Sequence, residues 1–457
     1  MFTTWGIVTS VNFNPAPHTL RIAEALLLGS LTFGLFFGAG NLIFPVSLGL
    51  QASNNVVPAA LGFLVAAVGI PVLGVIATAT AGTRSLPELA SRVHPVFATV
   101  FTCALYLTIG PFFAIPRTAT VSYEIAFGSS ESEGNALALA AFSAVFFVLV
   151  LVAALRPGHI LDIVGKFLTP IFLVLLGVLL VAAFLAPAAP APDPVGAYAS
   201  HAAARGILDG YNTMDGLASL AFAIIVIDSA RKLGVTSKGR LAAEVTKAGA
   251  VAAVAMGAIY LALAVLGSRM TELVARDTNG AVALATMSRW LFGSTGHVLA
   301  ALIMFVACLK TAIGLIVASA ETFSLMFPRL GSQRRWAIGF TVWSLVMANL
   351  GLDTIIHAAV PVLQVLYPMA IVLIVLGLLD RFVAGKAAIH WMPVLFAGLA
   401  SLATVLVTAG WLPSGAWTRL LPGFDLGFGW VLPAAVGFLV GEVVSVWRRS
   451  PSSRPTR

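Results

Sequence analysis

The chain has 457 residues, 59% of them apolar and 10% charged, with a mean hydropathy of +1.00. A soluble chain carries about 25% charged residues, so a soluble globule is excluded and a polytopic all-α membrane protein is expected; no strand-period alternation suggests a barrel. The net charge of +8 is no nucleic-acid signature, because the basic residues are spread over short loops rather than gathered on one face.

Taken in order, the apolar runs predict twelve spans, near 23–50, 56–80, 96–127, 135–155, 162–187, 206–232, 241–267, 297–327, 335–350, 354–379, 388–410 and 428–447. The third and eighth exceed the ~20 residues a span needs, so they are expected to tilt or extend past the bilayer. The start carries no cationic n-region followed by an apolar h-region and cleavage site, so the first helix is expected to stay in the mature protein. The loop PAAPAPDPVGAYASH before the sixth span reads as a semi-extended connector. The segment 268–296 is expected to include a short surface helix, and the tail SPSSRPTR to be disordered. Cys103 and Cys308 fall inside apolar runs and read as small buried hydrophobes. Placing the N-terminus in the cytoplasm puts eighteen Lys and Arg on the inside and five on the outside, so both termini are expected to be cytoplasmic.

One stretch organises the rest. Residues 31–50, LTFGLFFGAGNLIFPVSLGL, are long enough for a span, yet carry Gly38, Ala39, Gly40 and Asn41 in the middle and Pro45 just after. Glycine weakens a helix interior and proline removes a donor. An unwound turn in hydrocarbon leaves peptide groups unpartnered unless it lines a cavity or a ligand. The stretch therefore reads as a broken span whose break is a binding site; the alternative is a glycine-rich packing face. The sixth span, GILDGYNTMDGLASLAFAIIVIDSARKLG, carries Asp215, Gly216 and Ser219 at membrane depth. Two interrupted helices five spans apart are what an inverted five-helix repeat predicts. The expected organisation is a cytoplasmic N-terminus 1–22, a first repeat 23–187, a second, inverted repeat 206–379, two accessory helices 388–447 and a cytoplasmic tail 448–457.

A broken helix offers free N–H groups where its second half begins and free C=O groups where its first half ends. Together these suit a zwitterion without any charged side chain. Phe36, Phe37, Leu42 and Ile43 around the break would suit an apolar substituent. Asp215 reads either as a ligand-orienting carboxylate or as an N-cap for the second half of its span. Thr213, Ser219 and Thr311 offer hydroxyls for a cation or for capping. Lys310, in ALIMFVACLKTAIGLIVASAETF, stands near mid-bilayer, where a lysine costs at least about 2.5–3.5 kcal/mol. It is expected to face the interior, or alternatively to cap a broken helix as a structural cation. Asp228 and Glu321 lie nearer the cytoplasmic side, with basic residues to pair with. Arg117, in GPFFAIPRTATVSYE, reads as a gate residue or an interfacial anchor. There is no P-loop, GxSxG, HExxH or clustered metal-ligand motif, and the histidines are scattered, so no enzyme is expected.

At LFFGAGNLIFP, GPFFAIPRTATVSYE, GYNTMDGLASLAFAI and ACLKTAIGLIVASAE the chain closely resembles the bacterial branched-chain amino acid carriers, the LIVCS family, over essentially its whole length. The resemblance implies the leucine-transporter-like fold: two inverted five-helix repeats plus two further helices, with helices 1 and 6 broken. It implies a multi-pass protein of the bacterial cell membrane importing leucine, isoleucine and valine with a cation, usually Na+. A carrier for another neutral amino acid is the alternative, and no nucleic acid, organic cofactor or obligate protein partner is implied. It places the substrate carboxylate at the Gly40 amide with Gly38, Ala39 and Asn41 beside it, Tyr106 as a hydrogen-bond partner, and Met214, Asp215, Gly216, Leu217 and Ala218 along the pocket. The implied Na+ site uses carbonyls of Gly34, Phe37 and Ala307 and hydroxyls at positions 310 and 311. Thr311 fits that pattern; Lys310 puts an ammonium where a ligand would stand. The expectation is that Lys310 replaces Na+ electrostatically, or carries H+ in its stead.

Overall fold

The computed structural model describes residues 19–128, 136–187, 191–383 and 385–449. The expected N-terminal segment up to residue 18, residues 188–190 of the connector and the tail from residue 450 lie outside the described residues.

Every regular element among the described residues is helical. The first part of the chain forms α1 (Ile22–Phe36), α2 (Ala39–Ala52), α3 (Val56–Leu64), α4 (Ile70–Thr80), α5 (Leu86–Ser91), α6 (Pro95–Leu107), α7 (Ala114–Phe127), α8 (Ala136–Ala154) and α9 (Thr169–Leu185). The next part forms α10 (Ala197–Ser200), α11 (Ala202–Tyr211), α12 (Asp215–Lys232), α13 (Lys238–Ser268), α14 (Gly280–Phe292) and α15 (Ser294–Met326). It closes with α16 (Gln333–Ala348), α17 (Leu352–Leu378), α18 (Asp380–Val383), α19 (Ala387–Thr408), α20 (Ala416–Arg419) and α21 (Val431–Arg449).

Among the described residues, eight helices are long and apolar enough to cross a membrane, or nine if the bent pair α11 and α12 is one span. The divisions differ from the twelve apolar runs. The runs 23–50 and 56–80 are recut: Ile22–Phe36 stands alone as a shorter apolar helix, and Ala39–Thr80 counts as one 42-residue stretch. Helical hydrogen bonding continues through Ser53–Asn55 although Ser53 itself turns at φ 47°. The third run is also divided: α6 passes through a π-turn at Thr108–Phe112, where Gly110 leaves helical geometry (φ −91°, ψ −122°) beside Pro111. Proline lacks the N–H that would continue the ladder. The helix expected within 268–296 is α14, but it is not wholly at the surface: its Gly280, Leu284 and Met287 are buried, and Gly280 N–H donates to Ser47 Oγ of α2 at 2.8 Å.

Helices α8 and α9 present Val145, Val148, Val152, Val174, Val178 and Val181 outward, half or more exposed. A face of that kind is stable against hydrocarbon rather than water. Inside, small residues allow close crossings. Where α2 meets α13, a Cβ on Gly49 would stand 2.8 Å from the Ser268 amide nitrogen, and one on Gly267 3.1 Å from the Gly49 Cα. Around this crossing α1, α2, α12 and α13 pack together, while α15 packs on α7, α8 and α12. The short loop between α4 and α5 meets the far ends of α12 and α15: Arg84 donates to Asp228 at 2.9 Å and to Glu321 at 2.7 Å. The hydrogen bond that Arg84 donates to Asp228 raises its pKa above its already high ordinary value.

Candidate functional site

Two helix interruptions face each other in the core. Between α1 and α2, Phe37 (φ −74°, ψ 88°) and Gly38 (φ −112°, ψ −156°) are non-helical. The last carbonyls of α1 and the first amides of α2 therefore lack intrahelical partners. Gly38 admits no side chain, since a Cβ there would lie 2.9 Å from Thr311 Oγ1. Asn41, in the first turn of α2, accepts the Gly38 N–H at 2.8 Å. Between α11 and α12 the axes bend by 45°. Met214 holds this turn at φ 67°, ψ 4°, a left-handed conformation that costs a non-glycine residue about 1–3 kcal/mol. The Asp215 N–H donates to Thr213 Oγ1 at 3.3 Å, so it is Thr213, not Asp215, whose side chain meets the start of α12.

A buried polar chain ties the interruptions together. Asn41 Nδ2 donates to Asp215 Oδ2 and to the Tyr260 hydroxyl of α13. Tyr260 in turn donates to Asp215 Oδ2 at 3.3 Å. Tyr367 of α17 accepts the Gly216 N–H at 3.1 Å. Nothing in the sequence ties these tyrosines to the interruptions, since each lies in an apolar run on a distant helix. A tyrosine inside such a run is itself the usable signal, because a buried hydroxyl requires a partner.

Each interruption also holds one buried cation. Lys310, fully buried on α15, donates to the carbonyls of Gly34, at 3.0 Å, and Phe37. Its ammonium lies 4.8 Å from the ring centroid of Phe172 and 5.5 Å from those of Phe33 and Phe37. It thus sits at the C-terminal, negative end of the α1 dipole. Beside it Thr311 Oγ1 donates to Leu35 O at 3.2 Å. Arg117, 5% exposed in the first turn of α7, donates from Nη1 to Asn212 O at 3.2 Å, the carbonyl just past the end of α11. Its guanidinium lies 5.7 Å from the Phe44 ring centroid. Among the described residues no ion pair reaches Lys310 or Arg117.

A cavity of about 20 Å³ opens between the interruptions, on the order of a single water, so seating anything larger requires the helices to part. Gly38, Ala39, Gly40, Asn41, Asp215 and Ala218, all among the residues the family resemblance places around a substrate, line it. So do Arg117, Thr213 and Thr311, together with apolar walls from Phe36, Ile109, Ala114, Phe222 and Leu315. Tyr106, Met214, Gly216 and Leu217 are buried but lie outside this lining. The Tyr106 hydroxyl accepts from Thr322 at 2.8 Å and donates to Ala221 O at 3.3 Å, both away from the cavity. Met214 shapes the turn through its backbone, and Gly216 has its amide on Tyr367. Of the residues expected around a cation, the carbonyls of Gly34 and Phe37 meet Lys310 and Thr311 borders the cavity; Ala307 is buried within α15. Ile109 and Ala114 reach the cavity because the chain breaks at Gly110 and Pro111, a Gly-Pro pair that the reading as one long span passed over.

Comparison with solved structures relates this architecture to transporters. The chain superposes on Mhp1, a nucleobase-cation-symport-1 family transporter, with a TM-score of 0.58 at 13% identity, covering 95% of each chain. It superposes on MhsT in complex with L-phenylalanine with a TM-score of 0.52 at 14% identity, covering 92% of this chain and 98% of that one. Identities this low concern the fold alone. Sequence relatives are far nearer. The branched-chain amino acid permease BrnQ of Bacillus subtilis (strain 168) is 41% identical over 431 residues, 93% of this chain and 98% of that protein. The permease of the same name from Escherichia coli (strain K12) is 37% identical over 442 residues, 96% and 99% of the two chains. These relatives are permeases, not enzymes. The family model described as branched-chain amino acid transport protein matches residues 21–448, so this multi-pass membrane chain belongs to the branched-chain amino acid transport proteins.

Proposed function

We propose that the chain is a secondary transporter that imports leucine, isoleucine and valine by alternating access. The observation that carries this reading is the cavity between the two interruptions. It borders the free amide end of α2, Asp215, Arg117 and the threonines Thr118, Thr213 and Thr311, and its apolar walls are Phe36, Ile109, Ala114, Ala218, Phe222 and Leu315. A zwitterion with a branched apolar substituent matches that distribution of charge and surface. The names of the relatives support the substrate class. On this reading α1 with α2, and α11 with α12, are the halves of broken spans 1 and 6. Residues 23–187 and 206–379 are the inverted repeats of a twelve-span protein, residues 388–447 the accessory helices. Both termini lie in the cytoplasm, because the basic residues are concentrated in the loops on that side.

The test is uptake of labelled leucine into proteoliposomes, with isoleucine, valine, alanine and phenylalanine as competitors. Competition by isoleucine and valine alone is expected. Stronger competition by alanine or phenylalanine would mean a carrier for another neutral amino acid, and no uptake at all would end the reading.

The coupling ion has its own observation. The carbonyls of Gly34 and Phe37, which the family resemblance assigns to Na+, are already met by the Lys310 ammonium. Both are monovalent cations seeking the same oxygens. The reading is therefore that Lys310 stands in for Na+ and that a proton gradient drives uptake. Leucine uptake should follow an imposed ΔpH in Na+-free buffer; a wild type that needs Na+ and ignores ΔpH would overturn this.

A further inference from the structure

We propose that Arg117 is the side chain that recognises the carboxylate of the substrate and so restricts the carrier to amino acids over plain amines. The proposal rests on the transport reading above and adds a residue to it.

Arg117 and Lys310 have matching positions with unequal occupancy. Each sits at the carbonyl end of a helix that stops in the core, Lys310 at α1 and Arg117 at α11. Lys310 is enclosed: two carbonyls and three ring faces surround its ammonium. Arg117 is not. A guanidinium carries five N–H donors, yet among the described residues this one makes a single hydrogen bond, at 3.2 Å to Asn212 O, and its buried Nε has no partner. Leaving such donors unpaired is costly for a group 5% exposed. The spare donors are at the cavity, which Arg117 lines together with Gly40 and Asp215.

The direction of the fork is set by Gly40. A Cβ at Gly40 would lie 3.1 Å from Arg117 Nη2, so the guanidinium approaches the first turn of α2, where free amides point at an anion. A carboxylate entering there meets backbone N–H on one side and a planar, bidentate donor on the other. The ammonium of the same molecule can reach Asp215, which lines the cavity and whose Oδ2 accepts from Asn41 and Tyr260. The apolar walls take the side chain. One positive and one negative side chain in a shared cavity thus suit a molecule carrying both charges, and suit an amine lacking the carboxylate poorly.

The test compares leucine with isopentylamine, which is leucine without its carboxylate, on purified wild type and Arg117→Gln. Leucine binding is expected to weaken about 10- to 100-fold, the range for a lost charged hydrogen bond, while isopentylamine binds as well or better. Arg117→Lys, which keeps charge without the fork, should fall between. A monodisperse Arg117→Gln that binds leucine like wild type, or loses both ligands together, would overturn the assignment. If Arg117→Gln does not fold, wild type decides through phenylglyoxal footprinting read by mass spectrometry. Leucine, but not isopentylamine, should protect Arg117; no protection, or equal protection by both, would overturn it. A wild type that neither binds nor carries leucine refutes the transport reading, whereas equal leucine affinity in wild type and R117Q refutes only the arginine.

Discussion

Replacing Lys310 by Thr isolates what the buried ammonium does. The change leaves the carbonyls of Gly34 and Phe37 without their donor, at about 1–3 kcal/mol each. It also removes a buried charge, a relief of several kcal/mol. These terms oppose, so the sign of the stability change in Na+-free buffer decides nothing. The response to Na+ does. If the two carbonyls and the hydroxyls at 310 and 311 now hold Na+, saturating it a hundredfold above its Kd adds about 2.7 kcal/mol to the folded state. With an unfolding entropy of about 2.1 cal/mol/K per residue over 457 residues, that is a rise of about 3 °C in Tm. Thermal unfolding in matched Na+ and K+ buffers should show this rise for Lys310→Thr and none for wild type. Leucine uptake by the variant should become Na+-dependent. A wild type that Na+ stabilises by the same amount would refute the reasoning, because the site would then take the ion with the lysine present.

Asn41→Ala removes the donor shared by Asp215 and Tyr260 and the acceptor of the Gly38 amide; at about 1–3 kcal/mol per stranded group, Tm should fall by several degrees and uptake should vanish, and unchanged values would mean that the chain between the interruptions carries no energy. Gly49→Ala forces a Cβ to within 2.8 Å of the Ser268 backbone and should lower Tm and monodisperse yield, whereas Gly257→Ala on the same α13 meets nothing within 4 Å and should be neutral; equal behaviour would show that this crossing is loose. Arg84→Gln unties the α4–α5 loop from Asp228 and Glu321. Because these groups are partly solvated, stability should move by less than about 1 kcal/mol, but a cysteine at position 317, beside Asp228 and Glu321, should react faster with an impermeant maleimide from the same side; an unchanged rate would show that the pair does not restrain that end.

By itself the amino-acid sequence determined the class of solvent the chain folds in, because 59% apolar residues cannot be hidden from water in one core. It also pointed to the neighbourhood of both interruptions, but the structure puts them at Phe37–Gly38 and Asn212–Met214, with Ala39–Asn41 and Asp215–Ser219 already helical. Breaking a helix is a local event, written in glycines and prolines that weaken one turn. Lys310 stood out for a similar reason: one charge at membrane depth needs no neighbour to be conspicuous. What a residue meets is not local. Tyr260 and Tyr367 close the chain around Asp215 from helices 45 and 151 residues away from their partners, and no periodicity encodes that. Tyr106 has the composition of a site residue, yet its hydroxyl turns to Thr322 and Ala221, away from the cavity. Arg117 read as a gate residue or an interfacial anchor; the break at Gly110 instead brings α7 inward and sets its guanidinium beside Gly40. A backbone bend is decided by a few adjacent residues, but the direction in which a side chain then points depends on how every other helix packs around it, and only the tertiary structure decides that.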